Sequence, residues 1–229
     1  MTGEFDPWAP QGAAARDYLG GRRPAIVRVH VVGGEPEDVD AEVFFRLPQD
    51  MERWELRALE LCQGRVLDVG AGAGCHALAL QERGLEVVAL ETCDAFVDVM
   101  RLRGVKDVRS GELAKVKDGP FDRLLLLMHG LGLAGHPDGL RSLLADAHRL
   151  LAHDGRVLLD SRDPKDACDE DGLAVAELRL EYLGRKGPRF SWLFAGPEAL
   201  EAFAAEVGWQ ATVVHQEPDG RYLASLARS

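Results

Sequence analysis

The stretch Val66 to Gly74, "VLDVGAGAG", sets Asp68 two residues ahead of three glycines at alternate positions, Gly70, Gly72 and Gly74. Glycines at this spacing behind an apolar strand let a ligand approach the backbone, and a helix beginning just after them offers unpaired N–H groups. A second acidic residue, Glu91, closes the apolar run "VVALE", where a carboxylate is placed to accept ribose hydroxyls. Together these features support nucleotide binding, in two competing registers. The dinucleotide fingerprint G-x-G-x-x-G/A reads as Gly72-x-Gly74-x-x-Ala77, but in the register starting at Gly70 its last position is Cys75. The register Asp68-x-Gly70-x-Gly72-x-Gly74 uses every residue, and its carboxylate suits a ligand bearing an ammonium better than one bearing a pyrophosphate.

Groups able to move a proton or hold a second substrate lie farther along. His129, in "MHG", ends an apolar run, and an imidazole is poised near neutral pH to act as a base. "DSRD" ends another, bringing Asp160, Ser161, Arg162 and Asp163 to the same rim; Asp160 is a candidate base, and Asp160 and Arg162 are candidates for holding a substrate. Tyr182 and Trp192 are candidate walls of an acceptor pocket. Each has a plainer alternative: a backbone contact for His129, helix capping or loop solvation for Asp163, and core packing for the aromatics, Tyr18, Phe44 and Phe45 included. His136, beside Pro137, reads as a helix start.

These residues need a frame. Apolar strands are expected at 65–69, 86–90, 105–110, 123–128 and 156–160, with helices near 75–83, 95–103 and 139–152 between them. The continuous run "LLLLM" is a strand buried on both faces, and alternating strands and helices imply a parallel sheet sandwiched by helices. Pro197 and Gly208 bracket a helix, after which "WQATVVHQ" and "YLASLA" flank Asp219-Gly220, a hairpin signal. The expected fold is a doubly wound, mostly parallel seven-stranded α/β sheet ending in an antiparallel hairpin, on a core of residues 64–229. A further hairpin, about 173–195 and turning at "RKGP", is expected to lie over one rim. Residues 1–63, with a helix at 11–19, a strand at 25–32 and a helix at 51–62, read as an amino-terminal cap.

Composition narrows the partners. The chain has 229 residues, 46% hydrophobic, with a net charge of −11, and its one dense basic cluster is Arg22-Arg23, which argues against a nucleic acid. No apolar run is long enough for a bilayer span, and Met1–Pro10 lacks the basic start and apolar core of a secretory signal. Four cysteines without metal-ligand spacing suggest reduced thiols in the cytoplasm and no metal centre. Oligomeric state is not legible.

The chain resembles the class I S-adenosylmethionine-dependent methyltransferases, through "VLDVGAGAG", "VVALE", "VRSGEL", "FDRLLLLMHGLGLAG" and "HRLLAHDGRVLLDSRD". "FFR", the helix at 51–62 and "WLFAGPEALEAFAAEVGW" are similar to a subgroup of small bacterial members. The resemblance implies that Gly70, Ala71, Gly72 and Gly74 pass under the methionine part of S-adenosylmethionine. Asp68 would hold its ammonium and Glu91, beside Thr92, its ribose. Glu112 and Leu113 would face the adenine, with Met128 and His129 near the methyl. Glu91 and Glu112 stand where the family often has Asp, and "ETCDAF" replaces its usual Asp-x-Ser run. No Asn/Asp-Pro-Pro-Tyr/Phe or Pro-Cys follows the fourth strand, which by the same analogy disfavours nucleobase, glutamine or cytosine-carbon methylation. The implied activity is methyl transfer to an oxygen or nitrogen of a small molecule. A protein acceptor is the first alternative, and a cofactor-binding regulator without turnover the second. A nicotinamide-dependent oxidoreductase is the third, opposed by Cys75 and the lack of a Tyr-x-x-x-Lys pair.

Overall fold

The strand ahead of the glycines and its neighbours are apolar on both faces, and in the computed structural model, which describes residues 6–229, both faces are covered. In chain order come α1 (Ala9–Leu19), β1 (Ile26–Val31), β2 (Glu37–Asp40) and α2 (Arg53–Leu61). They are followed by β3 (Arg65–Val69), α3 (Cys75–Glu82), β4 (Glu86–Glu91), α4 (Asp94–Arg103), β5 (Asp107–Ser110), β6 (Phe121–Leu126), α5 (Pro137–Leu150) and β7 (Leu151–Arg162). The chain closes with β8 (Leu173–Tyr182), β9 (Arg185–Ala195), α6 (Pro197–Glu206), β10 (Trp209–Gln216) and β11 (Arg221–Arg228).

Seven strands form the large sheet in the order β10-β11-β7-β6-β3-β4-β5. The five from β7 to β5 are parallel, and the β10–β11 hairpin adds antiparallel to β7, the expected architecture. Side chains alternate between two cores. Leu67, Leu124 and Leu126 point to the face covered by α5 and α6, whereas Val66, Leu125 and Leu127 point to that covered by α2, α3 and α4. Each fully buried leucine contributes about 1.5–3 kcal/mol from its burial. The chain leaves β3 toward one edge and β6 toward the other, so the crevice between their carboxyl ends is the switch point where ligands bind in such sheets.

A second sheet of four strands, β2-β1-β8-β9, lies outside this sandwich. Its middle pair joins distant segments, Val29 opposite Leu180 and Val31 opposite Leu178, so the amino-terminal strands and the inserted hairpin form one body. α1 packs on that sheet and on α4, and a cluster of Ala14, Tyr18, Val27, Phe44 and Leu180 continues onto Ala73, Cys93 and Phe96 beside the glycine turn. This four-stranded body, the lid, therefore packs against the rim beside the switch point. α2 instead buries Trp54, Ala58 and Leu59 against the large sheet.

Two local expectations are corrected. The β8–β9 hairpin turns at Leu183-Gly184, not at "RKGP", which begins β9. Both turn residues have positive φ, 49° and 77°, the two-residue geometry that matches strand twist, and Gly184 accepts it without strain. β7 begins at Leu151 rather than near 156, because the expected helix stops at Leu150 and Phe121 of β6 pairs directly with Leu151.

Candidate functional site

At the end of β3, Gly72 has a φ of +55°, and a Cβ built there would meet no atom within 4 Å, so its surface faces open space. The turn is pinned on both sides. Glu91, only 7% exposed at the end of β4, accepts the Gly72 amide on Oε2 (2.9 Å) and the Thr92 and Cys93 amides on Oε1 (2.7 and 2.9 Å). Burial raises the Glu91 carboxyl above its usual range, and these amides work against that rise. Oε2 keeps a free lone pair for a ligand hydroxyl. On the other side Arg103, at the end of α4, donates to the Ala73 carbonyl (2.6 Å) and to the Phe44 carbonyl of the lid (3.2 Å).

Asp68 is buried in β3, and its Oδ2 has no hydrogen-bond partner among the described residues. Burial pushes its carboxyl up to about 6; His76 pulls it down, and the Glu91 charge adds to the rise. A buried carboxylate with an unpartnered oxygen beside an open glycine turn is able to accept from a cationic amino group.

Behind Asp68 runs a buried ionic chain. Oε1 of Glu55 accepts from His76 Nε2 (2.8 Å) and from the Arg46 guanidinium (2.7 Å), and Oε2 accepts the Glu52 amide (2.9 Å), closing the first turn of α2. Burial raises the Glu55 carboxyl, but His76, Arg46 and the amide outweigh it and leave it below its usual range. Burial would lower the His76 imidazole, yet Cys75, Glu55 and Asp68 hold it well above its ordinary value. Sequence reasoning missed this chain. The available signal was His76 in the first turn of a helix, where the helix dipole disfavours a cation and a carboxylate partner is needed.

The rim after β6 is bent. Met128 and His129 both adopt left-handed conformations (φ 65° and 63°), each costing about 1–3 kcal/mol that neighbouring contacts must offset. Asp160, buried at the end of β7, supplies them: Oδ1 accepts the Gly130 amide (2.8 Å), and Oδ2 accepts Trp54 Nε1 from α2 (3.1 Å). Burial raises the Asp160 carboxyl, and the His129 charge and the Gly130 amide oppose the rise. Asp160 thus shapes the turn that presents His129. The Nδ1 of His129 is buried without a partner among the described residues, and its ring stands 6.3 Å from that of Phe194.

The other sequence candidates fall in different places. Trp192 packs on Gly132 in the 3-10 turn Gly130–Ala134, where a Cβ would fall 1.9 Å from its ring. Tyr182 lies at the turn end of the same hairpin and donates to Asp17 of α1 (2.8 Å), so it ties the lid together instead of lining a pocket at the crevice. Glu112 is exposed and paired with Lys115 (3.1 Å), with Leu113 next to it half-buried. Arg162 is exposed at the end of β7, opposite Arg221. Among the described residues, no group of three or more His, Cys, Asp or Glu side chains could hold a metal ion.

Comparison with known proteins places this geometry. Residues 67–159 match a family described as a methyltransferase domain. The crystal structure of an S-adenosylmethionine-dependent methyltransferase from Bacteroides fragilis, in complex with S-adenosyl-L-homocysteine, is 35% identical; the alignment covers 100% of this chain and 97% of that one, with a TM-score of 0.90. A ubiquinone biosynthesis O-methyltransferase from Xanthomonas oryzae pv. oryzae (strain PXO99A) is 29% identical over 139 residues, 57% of this chain and 55% of that protein. The chain thus spans little more than half the length of this curated relative. CalS10, an amino pentose methyltransferase of Micromonospora echinaspora, is 21% identical, covers 82% of this chain and 96% of its own with a TM-score of 0.55, and shares the fold. Matched over its whole length by the Bacteroides protein, the chain belongs to the class I S-adenosylmethionine-dependent methyltransferases.

Proposed function

We propose that this protein transfers the methyl group of S-adenosylmethionine to a nucleophilic oxygen of a small molecule, in the cytoplasm. The observation that carries the reading is the unpartnered Oδ2 of buried Asp68 beside the open face of Gly72, a fit for the amino group of the cofactor's methionine end. Glu91 offers its remaining lone pair to the ribose. Bound S-adenosylmethionine supplies an electrophilic methyl on a sulfonium. The chain's own task is to align the acceptor with that methyl, exclude water and take the acceptor's proton. His129 is the base, held over the crevice by the strained turn that Asp160 and Trp54 fix. Residues 9–45 and the hairpin 173–195 supply the lid, through the β1–β8 ladder, while α2 stays with the large sheet. The O-methyltransferase name of the curated relatives favours oxygen over nitrogen. Among the described residues no helix is long and apolar enough to cross a membrane.

The test is calorimetric titration with S-adenosylmethionine and S-adenosylhomocysteine, with NAD and NADP alongside. Micromolar binding of both sulfur ligands, weakened at least tenfold by Asp68→Asn, is expected. Binding of a nicotinamide nucleotide in their place would overturn the reading.

A further inference from the structure

Toward its carboxyl end β9 has two unlike faces. Leu193 and Ala195 are wholly buried against the large-sheet core, whereas Phe190, Trp192 and Phe194, at alternate positions between them, keep part of their surface open. The neighbouring strand is unlike them again. Trp192 and Phe194 stand opposite Ala176 and Ala174 of β8, so a row of rings borders a row of methyl groups. The β1 ladder reaches β8 no farther than Leu178, and both alanines remain half-open beyond it. The outcome on the lid is a half-open apolar slot, rings along one side and small side chains along the other.

Its ends are defined. Trp8, ahead of α1, lies 4.7 Å from Phe190 and 5.5 Å from Trp192 between ring centroids. At the other end Phe194 meets His129, and Trp192 rests on Gly132, so the slot runs into the crevice at the strained turn. None of its lining residues, Trp8, Ala174, Ala176, Phe190, Trp192 and Phe194, carries a charge.

We infer that this slot is the acceptor subsite and that it takes a flat, uncharged aromatic ring bearing a hydroxyl, with the ring among Trp8, Trp192 and Phe194 and the hydroxyl at His129. The inference rests on the methyl-transfer reading above and names the acceptor class for it. Partly open rings offer stacking and edge contacts that a saturated ring of equal size does not match. A charged acceptor would lose its hydration there without a counter-charge among the lining residues. The hydroxyl of a phenol, with a pKa of about 10, lies within reach of an imidazole base, unlike that of an aliphatic alcohol. The bond from the phenolic oxygen to the methyl carbon forms as the carbon–sulfur bond breaks, whose electron pair stays on sulfur. The phenolic proton goes to His129 and from there to water. The products are the aryl methyl ether, the neutral thioether and a proton.

The test uses the full chain saturated with S-adenosylhomocysteine and titrated with 1-naphthol, cyclohexanol and cyclohexylamine, with tryptophan fluorescence and calorimetry as readouts. Naphthol is expected to bind at least tenfold more tightly than either saturated compound. Ala176→Phe, which fills the slot from its small-residue side, and Trp192→Leu are each expected to weaken naphthol about tenfold with the S-adenosylhomocysteine affinity unchanged. Should Trp192→Leu fail to fold, Ala176→Phe carries the test. With S-adenosylmethionine, mass spectrometry is expected to find 1-methoxynaphthalene. Preference for cyclohexylamine, or naphthol binding indifferent to Ala176→Phe, would overturn the inference and leave the methyl-transfer reading standing. Failure to bind S-adenosylhomocysteine at all would overturn both.

Discussion

The glycine turn and the lid above it are built by different means. The turn sits at the end of a parallel strand, and each of its tethers is a buried or part-buried charge-assisted hydrogen bond to main chain: Glu91 to three amides, Arg103 to the Ala73 carbonyl. The lid is assembled from two distant segments through one antiparallel ladder, aromatic contacts and peripheral ion pairs such as Arg28–Asp38 and Arg189–Glu177, of a kind that contributes little in water. Short tethers to main chain concentrate at the turn, whereas the lid rests on contacts between segments far apart in the chain. One residue belongs to both regions. Arg103 joins Ala73 of the turn to Phe44 of the lid and stacks 4.8 Å from Phe45.

The comparison breaks first at Glu91. Glu91→Ala leaves three amides unpaired, so S-adenosylhomocysteine affinity is expected to fall at least a hundredfold, about 3 kcal/mol, by calorimetry. A loss under tenfold would show that the turn keeps its shape unaided. Arg103→Ala cuts the tie between turn and lid, with an expected loss of about tenfold in affinity and about 3 °C in melting temperature. Arg103→Lys should recover less than half of that, because the shorter side chain loses the planar guanidinium that stacks on Phe45 while its Nη1 meets both carbonyls.

Asp68 sharpens the comparison through pH. Its folded carboxyl titrates near 6, above the ordinary value, so the native state holds a proton that the unfolded chain has already released between those two points. Stability of the free protein from this group therefore falls as pH rises through that window. Affinity for a cationic amino group moves the other way, rising about tenfold from pH 5 to pH 7 as Asp68 ionises. Calorimetry across that range checks it, and Asp68→Asn should flatten the slope. The smallest effect belongs to the lid. Tyr182→Phe removes the bond to Asp17 and should cost about 1 kcal/mol by denaturant unfolding, with S-adenosylhomocysteine affinity unchanged.

How far these features were legible follows from distance along the chain. Apolar periodicity, the glycine spacing, Pro197 ahead of α6 and Asp219-Gly220 act within windows of a few residues, so the strand order class, the terminal hairpin and the turn after β3 could be read directly. The placement of Asp68, Gly72 and Glu91 near strand ends was legible for the same reason. Tyr182 and Glu112 were harder. Nothing local distinguishes a tyrosine that lines a pocket from one that meets Asp17, 165 residues away.

The sequence by itself determined the doubly wound sheet, the place of its crevice and the carboxylates that border it, because backbone preferences and burial patterns are local properties. Only the tertiary structure decided that the amino-terminal strands join the inserted hairpin, that Trp54 reaches Asp160 across 106 residues to hold the turn at His129, and that Arg103 ties turn to lid. Such partners are selected by packing of the whole chain, where several arginines and tryptophans compete for the same acceptors and geometry alone settles which of them arrives.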